Sequence, residues 1–345
     1  MGGKYKIGID ASGGDFAPEE IVKGALLAKK ELSEEIVLIG DKQEIQSQLS
    51  AHKCSCSDVT IINAPEKIGM GESPAVSVRR KKNSSISVGA RLLKHKEIDA
   101  FVSCGNTGAV VCAATLILGL IKGVERPGIS LLMPTRKGIS LVVDVGANID
   151  CKPLHLLQYG IMADVYYNLV MGKPNPTVGV LNIGEEASKG SGPIKESHKL
   201  FSVSTLNFIG NLEAREMFSG KCDCIVCDGF IGNIALKVAE GSIEIVGRSF
   251  VEAMGKGVLG KISLLLAKNN LKKLKKSLSY TEYGGAPLLG VDGVVIIGHG
   301  RSNSVAVKNA VKAAARELNI NLTSEISRRI NEICQDSRIR EVLAG

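Results

Sequence analysis

The sequence predicts an α/β protein built on a mostly parallel sheet covered by helices on both faces. A unit recurs along the chain: a short β-branched run, a glycine-rich polar turn, then an amphipathic stretch of helical period. The runs are apolar at successive positions, as strands buried on both faces must be. With 39 glycines, 10 prolines, no tryptophan and 4% aromatic residues, the composition suits tight turns between aliphatic elements better than an all-β sandwich. The 345 residues, 44% of them hydrophobic, can bury a sizeable core. No low-complexity linker and no fixed repeat interrupts them, so residues 1–345 are expected to form one unit.

In chain order, KIGID runs into ASGGD at residues 6–15, and further strands are expected at 36–39 and 59–62. The charged stretch VSVRRKKNSS around 76–84 has few apolar positions and reads as a mobile loop. IDAFVSC then leads into GNTGA, followed by AVVCAATLILGLI (109–121), which reads as a buried helix. ISLVVDV precedes GAN, TVGVLNI precedes GEEASKGSG, CDCIVC precedes DGFIGN, and VDGVVII precedes GHGRSN. The C-terminal end reads as a charged helix. Ligands of open parallel sheets bind beyond the carboxyl ends of the strands, so these six turns are expected to line one shared site.

The formal net charge of +8 is local: Lys256, Lys261, Lys268, Lys272, Lys273, Lys275 and Lys276 fall in one segment that has no acid between residues 253 and 281. Without them the chain is close to neutral. On a helix Val258, Leu259, Ile262, Leu265 and Leu266 share one broad arc, and after a break at Asn269–Asn270, Leu271, Leu274 and Leu278 form another. Residues 255–278 therefore predict a basic amphipathic hairpin that serves as a membrane or dimer-interface element. The nine scattered cysteines read as thiols of a reducing compartment. No stretch has the length and apolarity of a membrane span, and the N-terminus lacks a signal-peptide plan, so a cytoplasmic protein is expected.

Several chemistries are disfavoured. GKGVLGKI (255–262) has phosphate-loop spacing as far as Lys261, but Ile262 stands where the motif needs Ser or Thr. No G-x-G-x-x-G joins a strand to a helix, no G-x-S-x-G elbow occurs and no H-E-x-x-H occurs. CDCIVCD has metal-like spacing, yet on a strand Cys222 and Cys224 face one side and Cys227 the other, which suits core packing better than one ion. No metal, organic cofactor or nucleic acid is expected.

The turns carry the signal. Gly13, Gly14, Gly229, Gly232, Gly300 and their neighbours would let backbone N–H groups approach an anion and aim helix N-termini at it. Interleaved are Asp10, Asp15, Asn106, Thr107, Asp144, Asn148, Asn182, Glu186, Lys189, Asp228, Asn233, His299 and Ser302. Each polar residue could simply cap the helix that follows, but capping would not require so many glycines.

With DASGGDFAPE, SCGNTGA, LVVDVGAN, LLQYGIMA, VGVLNIGEE, NFIGNLEARE, CDGFIGN, YGGAPLLGV and GHGRSN in order, the chain resembles the bacterial phosphate acyltransferase family of fatty acid and phospholipid synthesis proteins nearly end to end. The resemblance implies transfer of a fatty acyl group from acyl carrier protein to inorganic phosphate, giving acyl phosphate. It implies a three-layer α/β/α sandwich like that of phosphotransacetylases, a homodimer, and work at the inner face of the plasma membrane, with a membrane glycerol-3-phosphate acyltransferase as a candidate partner. Ser12, Phe16 and Arg301 depart from the family pattern and put chain preference in question more than the reaction. Phosphate is already nucleophilic and a thiolate leaves readily, so the reaction needs positioning and oxyanion donors rather than a strong base. Lys189 is assigned to phosphate or oxyanion binding and Asn233 to orienting the carbonyl. Leu259, Ile262, Leu265, Leu266, Lys272 and Lys273 are assigned to the membrane surface.

Overall fold

The structure, a computed structural model, describes residues 5–52, 59–278 and 284–344. Its strands are β1 (Lys6–Asp10), β2 (Glu35–Gly40), β3 (Thr60–Asn63), β4 (Ala100–Ser103), β5 (Gly128–Thr135), β6 (Gly138–Val143), β7 (Thr177–Asn182), β8 (Asn207–Glu213), β9 (Cys224–Val226), β10 (Ala286–Leu289) and β11 (Val294–Ile297). They form one sheet of order β3-β2-β1-β4-β11-β10-β5-β6-β9-β7-β8. The helices are α1 (Glu19–Lys29), α2 (Lys42–Ala51), α3 (Pro74–Arg80), α4 (Ser85–Lys94), α5 (Thr107–Ala113), α6 (Pro153–Met171), α7 (Gly192–Val203), α8 (Gly229–Met254), α9 (Gly257–Leu278), α10 (Ser304–Leu318), α11 (Leu322–Cys334) and α12 (Ser337–Ala344).

The expected α/β/α architecture is present, and strand alternation explains its layers. Val37, Ile39, Phe101, Leu131, Val142, Ile225 and Val295 point into one core that spans the sheet and packs under α4 and α5. Their neighbours point the other way and divide between two cores. Ile7, Ile9, Leu38 and Val102 meet α1 and α10, while Leu141, Val143, Val178, Val180 and Val226 meet α6 and α7. Both faces of the strands are thus buried, which is why their sequences lack polar alternation.

The sheet is parallel in two blocks of opposite sense. β3, β2, β1, β4 and β11 run together, as do β6, β9, β7 and β8. Between them, β10 is antiparallel to β11 and to β5, and β5 is antiparallel to β6. In ladder sense the carboxyl ends of β1, β4 and β11 therefore point opposite to those of β6, β9 and β7. The expectation of one edge lined by all six turns gives way to two groups of three. β5, β8 and β10 escape a reading for uninterrupted apolar runs because Pro134, Gly210 and Pro287 lie within them.

Four local expectations are corrected. The segment predicted as a mobile loop forms α3 through Arg80 and continues into a pinned turn. The run at 109–121 is α5 followed by a π-helical turn at Ala114–Leu118, which ends at Gly119 with φ +105°. Asn269–Asn270 breaks nothing: α9 is continuous, and the hairpin turn falls at Gly255–Lys256, so its two arms are α8 and α9. The C-terminal charged helix is divided into α11 and α12. Beyond its first turn α8 has no buried residue, and Leu259, Leu265 and Leu266 on α9 are 81%, 71% and 79% exposed. The side chains of Ile262, Lys272 and Lys273 lie outside the described set.

Candidate active site

The first group of turns is organised by Asp10, the last residue of β1, which is fully buried. Its carboxylate accepts the Ser103 hydroxyl at 2.6 Å and the Ser12 N–H at 3.1 Å, and Ser103 in turn accepts the Gly105 N–H at 3.1 Å. Burial pushes this carboxyl up; the hydroxyls of Ser103 and Ser85, the Ser12 N–H and the Lys67 charge oppose the shift. Gly13 folds so tightly over Asp10 that a β-carbon there would overlap the carboxylate. Gly14, at φ +106°, lies against the carbonyls of Gly300 and Cys104, and the Asp15 N–H donates to Gly300 O at 2.8 Å. Ser302, which is buried, donates its N–H to His299 O at 2.9 Å and bonds the Cys104 thiol through its hydroxyl.

Asn106 joins this group to a neighbouring strap. Its Oδ1 caps α5 by accepting the Ala109 N–H, and its Nδ2 donates to the carbonyls of Gly69, Met70 and Glu72 at 3.1, 3.1 and 3.2 Å. Thr107 stands exposed on the first turn of α5.

The second group is organised by Asp144, directly after β6 and also fully buried. Oδ1 accepts the N–H groups of Ile129, Gly146 and Ala147 at 3.0, 3.0 and 2.9 Å, and Oδ2 accepts that of Asn148 at 2.8 Å. Burial pushes the carboxyl up and these four donors pull it back. Asn148 continues the network, donating from Nδ2 to Pro127 O at 2.6 Å and to the Tyr159 hydroxyl at 2.8 Å. Its own carbonyl accepts the Gly229 N–H at 2.7 Å, which ties the 144–148 loop to the start of α8.

Gly229 is glycine for a visible reason, since a β-carbon there would lie 2.7 Å from both Asp144 Oδ2 and Asn148 O. Asp228 accepts the Ile231 N–H at 2.8 Å, so for this residue capping is a real role. Asn233, half-buried one residue past Gly232, faces Gly146: a β-carbon on that glycine would stand 3.7 Å from Asn233 Nδ2.

The loop after β7 is the neighbour of this group, because β7 and β6 both pair with β9 and Val180 and Val143 share the partner Val226. Asn182 Nδ2 donates to Lys189 O at 3.1 Å, the Lys189 N–H donates to Glu186 O at 3.0 Å, and Gly190 turns at φ +93° against Asn182. This closes a compact loop whose Lys189 side chain starts over Gly184 and is exposed.

Asp144, Asn148, Asp228, Gly229, Gly232 and Asn233 are thus brought together, with the loop of Asn182, Glu186 and Lys189 beside them. Asp10, Gly13, Gly14, Asp15, Asn106, Gly300 and Ser302 form the other group. Ser103, Ser85 and Tyr159 belong to these networks but were not singled out. Ser103 and Tyr159 lie inside SCGNTGA and LLQYGIMA, where a hydroxyl at a strand end or on a buried helix was the available signal.

The helices α5, α7, α8 and α10 each begin shortly after one of these turns, presenting positive dipole ends where anions are stabilised. The thiols beside these turns are poorly suited to act as nucleophiles: burial pushes Cys104 up to about 12, Cys151 up to about 11 and Cys227 well above the usual range. Cys222, Cys224 and Cys227 are all buried in apolar cores, Cys224 on the opposite face from the other two because β9 begins only at Cys224. The arrangement suits binding an anion and polarising a carbonyl.

The model of the fatty acid synthesis protein family matches residues 5–325. Phosphate acyltransferases of Pelotomaculum thermopropionicum and Dictyoglomus turgidum are each 45% identical, over 95% of this chain and 96% and 98% of theirs. That of Desulforudis audaxviator is 43% identical over 95% of this chain and 97% of its own. Among solved structures, a phosphotransacetylase from Streptococcus pyogenes superposes with a TM-score of 0.63 at 18% identity, covering 92% of this chain and 95% of that one. A phosphotransacetylase from Staphylococcus aureus gives 0.58 at 16% identity, with 91% and 94% covered. These two likenesses concern the fold.

Proposed function

The chain belongs to the fatty acid synthesis protein family and is an enzyme that transfers an acyl group to inorganic phosphate; we propose that the acyl group arrives as a thioester of acyl carrier protein. A phosphate oxygen attacks the thioester carbonyl carbon, the C–O bond forms, the C–S bond breaks, and the thiol leaves as thiolate and takes up a proton from water.

The observation that carries this reading is the paired organisation around Asp144 and the β7 loop. A buried carboxylate gathers four backbone donors and fixes the loop that faces Asn233, and Lys189 projects from the adjoining loop. In this reading Lys189 holds the phosphate or the developing oxyanion, and Asn233 orients the carbonyl. Asp10 and Asp144 act as positioning residues, because a bare carboxylate beside phosphate would repel it. Raised thiol pKa values support direct attack by phosphate over an acyl-cysteine intermediate.

The finer setting is also a reading. No helix among the described residues is long and apolar enough to cross a membrane. The exposed leucines of α9, with Lys256 and Lys268 exposed alongside, suit reversible docking on the anionic inner face of the plasma membrane. The exposed apolar positions of α8, among them Val238, Ile245, Val246 and Phe250, suit a homodimer contact. The deciding experiment offers a long-chain thioester of acyl carrier protein and the same acyl group on coenzyme A, each with labelled phosphate. The reading expects acyl phosphate preferentially from the carrier thioester; preference for the coenzyme A thioester would overturn the donor assignment.

A further inference from the structure

Of the four consecutive cations Arg79, Arg80, Lys81 and Lys82, only one is used inside the fold. Lys81 Nζ donates to Glu72 Oε1 at 2.6 Å and to Lys67 O at 2.8 Å. Glu72 also accepts the Gly69 N–H and the Ser77 hydroxyl, each at 2.8 Å, and these partners hold its carboxyl down at about 2. On the other side Arg91 donates to Lys82 O at 2.6 Å, and Glu66 accepts the Asn83 N–H at 2.8 Å. The backbone of the strip is therefore fastened at both ends.

What it presents outward is positive charge. Arg79, Arg80 and Lys82 are exposed and have no carboxylate partner among the described ion pairs, and the same is true of Lys67. Met70 and Val76 on the same segment are 50% and 47% exposed. The segment adjoins the first group of turns. Asn106 holds the carbonyls of Gly69, Met70 and Glu72, the Met70 methyl lies close to Gly300, and the Lys67 charge reaches Asp10.

Cations that diverge across a surface suit a partner with a broad negative face better than one small anion, which needs converging donors. With only Met70 and Val76 as exposed large apolar residues, the strip is also a weaker match for a bilayer than α9, which exposes three leucines.

We propose that the strip of Lys67, Arg79, Arg80 and Lys82 is the docking surface for the acidic face of the acyl-bearing carrier protein. This rests on the carrier-thioester reading above. Because the strip is pinned before the partner arrives, little ordering cost falls on binding. Rim charges of this kind act mainly on encounter and on its salt dependence.

The test is the Arg79→Glu/Arg80→Glu variant, with Lys82→Glu as an independent second variant, assayed on acyl carrier protein thioester over a range of salt. Wild type should lose kcat/KM steeply as salt rises. The variants should show KM for the carrier thioester raised about tenfold or more, a flattened salt slope, and nearly unchanged kcat and KM for phosphate. Titration of the variants with unacylated carrier protein should show the same weakening, with thermal melts like wild type. Unchanged KM and salt slope in the variants, with wild type active on the carrier thioester, would overturn the docking surface alone. Wild type inactive on the carrier thioester but active on the coenzyme A thioester would remove the donor reading and the surface with it. Variants that keep carrier binding but lose binding to phosphatidylglycerol vesicles would reassign the strip to the membrane.

Discussion

Gly232 packs directly against the backbone of Asp144, so closely that a β-carbon at Gly232 would overlap the Asp144 carbonyl oxygen. The contact clamps the first turn of α8 onto the loop whose N–H groups Asp144 gathers, and it sets Asn233, the next residue, opposite Gly146. Backbone on one side and a glycine on the other leave nothing flexible to yield. Gly232→Ala should therefore cost stability by roughly 1–3 kcal/mol, as overpacking does, and displace Asn233. Thermal melting together with phosphate-dependent thiol release checks this; a variant with wild-type melting and turnover would show that the clamp does not position the site.

Lys189 and Asn233 make separable predictions, since one is an exposed cation and the other a half-buried amide. Lys189→Ala should fold normally and lose rate on the order of a hundredfold or more, by analogy with removal of one oxyanion-hole donor. Asn233→Ala should lose a comparable factor. Steady-state kinetics on purified, folded protein decides, and near-normal turnover in either variant removes that residue from the mechanism.

What the sequence made legible follows from what leaves a local trace. Strands such as ISLVVDV and TVGVLNI announce themselves because both faces are buried, and the glycines at 13, 229 and 232 announce close approach. The sense of the sheet left no such trace. It depends on β5 and β10, two strands that carry prolines and reverse direction between the parallel blocks, and no local periodicity reports which way a neighbour runs. The polar groups were visible one at a time, but that Asn148 joins Asp144 to Tyr159 is a tertiary fact. The cation strip misled for a related reason: its order comes from Glu72, Glu66 and Arg91, which hold it from outside.

Glu317 gives a prediction about pH that is independent of the site. It is buried on α10, accepts the Tyr166 hydroxyl at 3.2 Å, and desolvation pushes its carboxyl up to about 8 from 4.5. A carboxyl whose pKa is raised by folding favours the folded state fully below its unfolded pKa, and that contribution is lost as pH rises through the folded value. The loss should fall between about 4.5 and about 8. Glu317→Gln keeps an acceptor for Tyr166 and cannot ionise, so its melting temperature should exceed wild type by a margin that grows from about pH 5 to about pH 9. A margin independent of pH would mean that folding does not raise the pKa of Glu317.

The exposed leucines of α9 separate membrane docking from charge attraction alone. Leu265 is 71% exposed on a helix that also exposes Lys268, with Lys256 exposed in the turn before it, so removing its apolar contribution should weaken attachment without disturbing a core. Each lysine near an anionic surface contributes roughly 1 kcal/mol, and entry of leucine side chains into the interface adds to it. Wild type should bind phosphatidylglycerol vesicles reversibly, with affinity falling as salt rises. Leu265→Glu should bind more weakly at every salt concentration while retaining the melting temperature and soluble-substrate turnover of wild type. If wild type ignores anionic vesicles at low salt while fully active on soluble substrate, α9 is no membrane element. Its leucines would then belong to a subunit contact, which sedimentation of the same variant would reveal as dissociation.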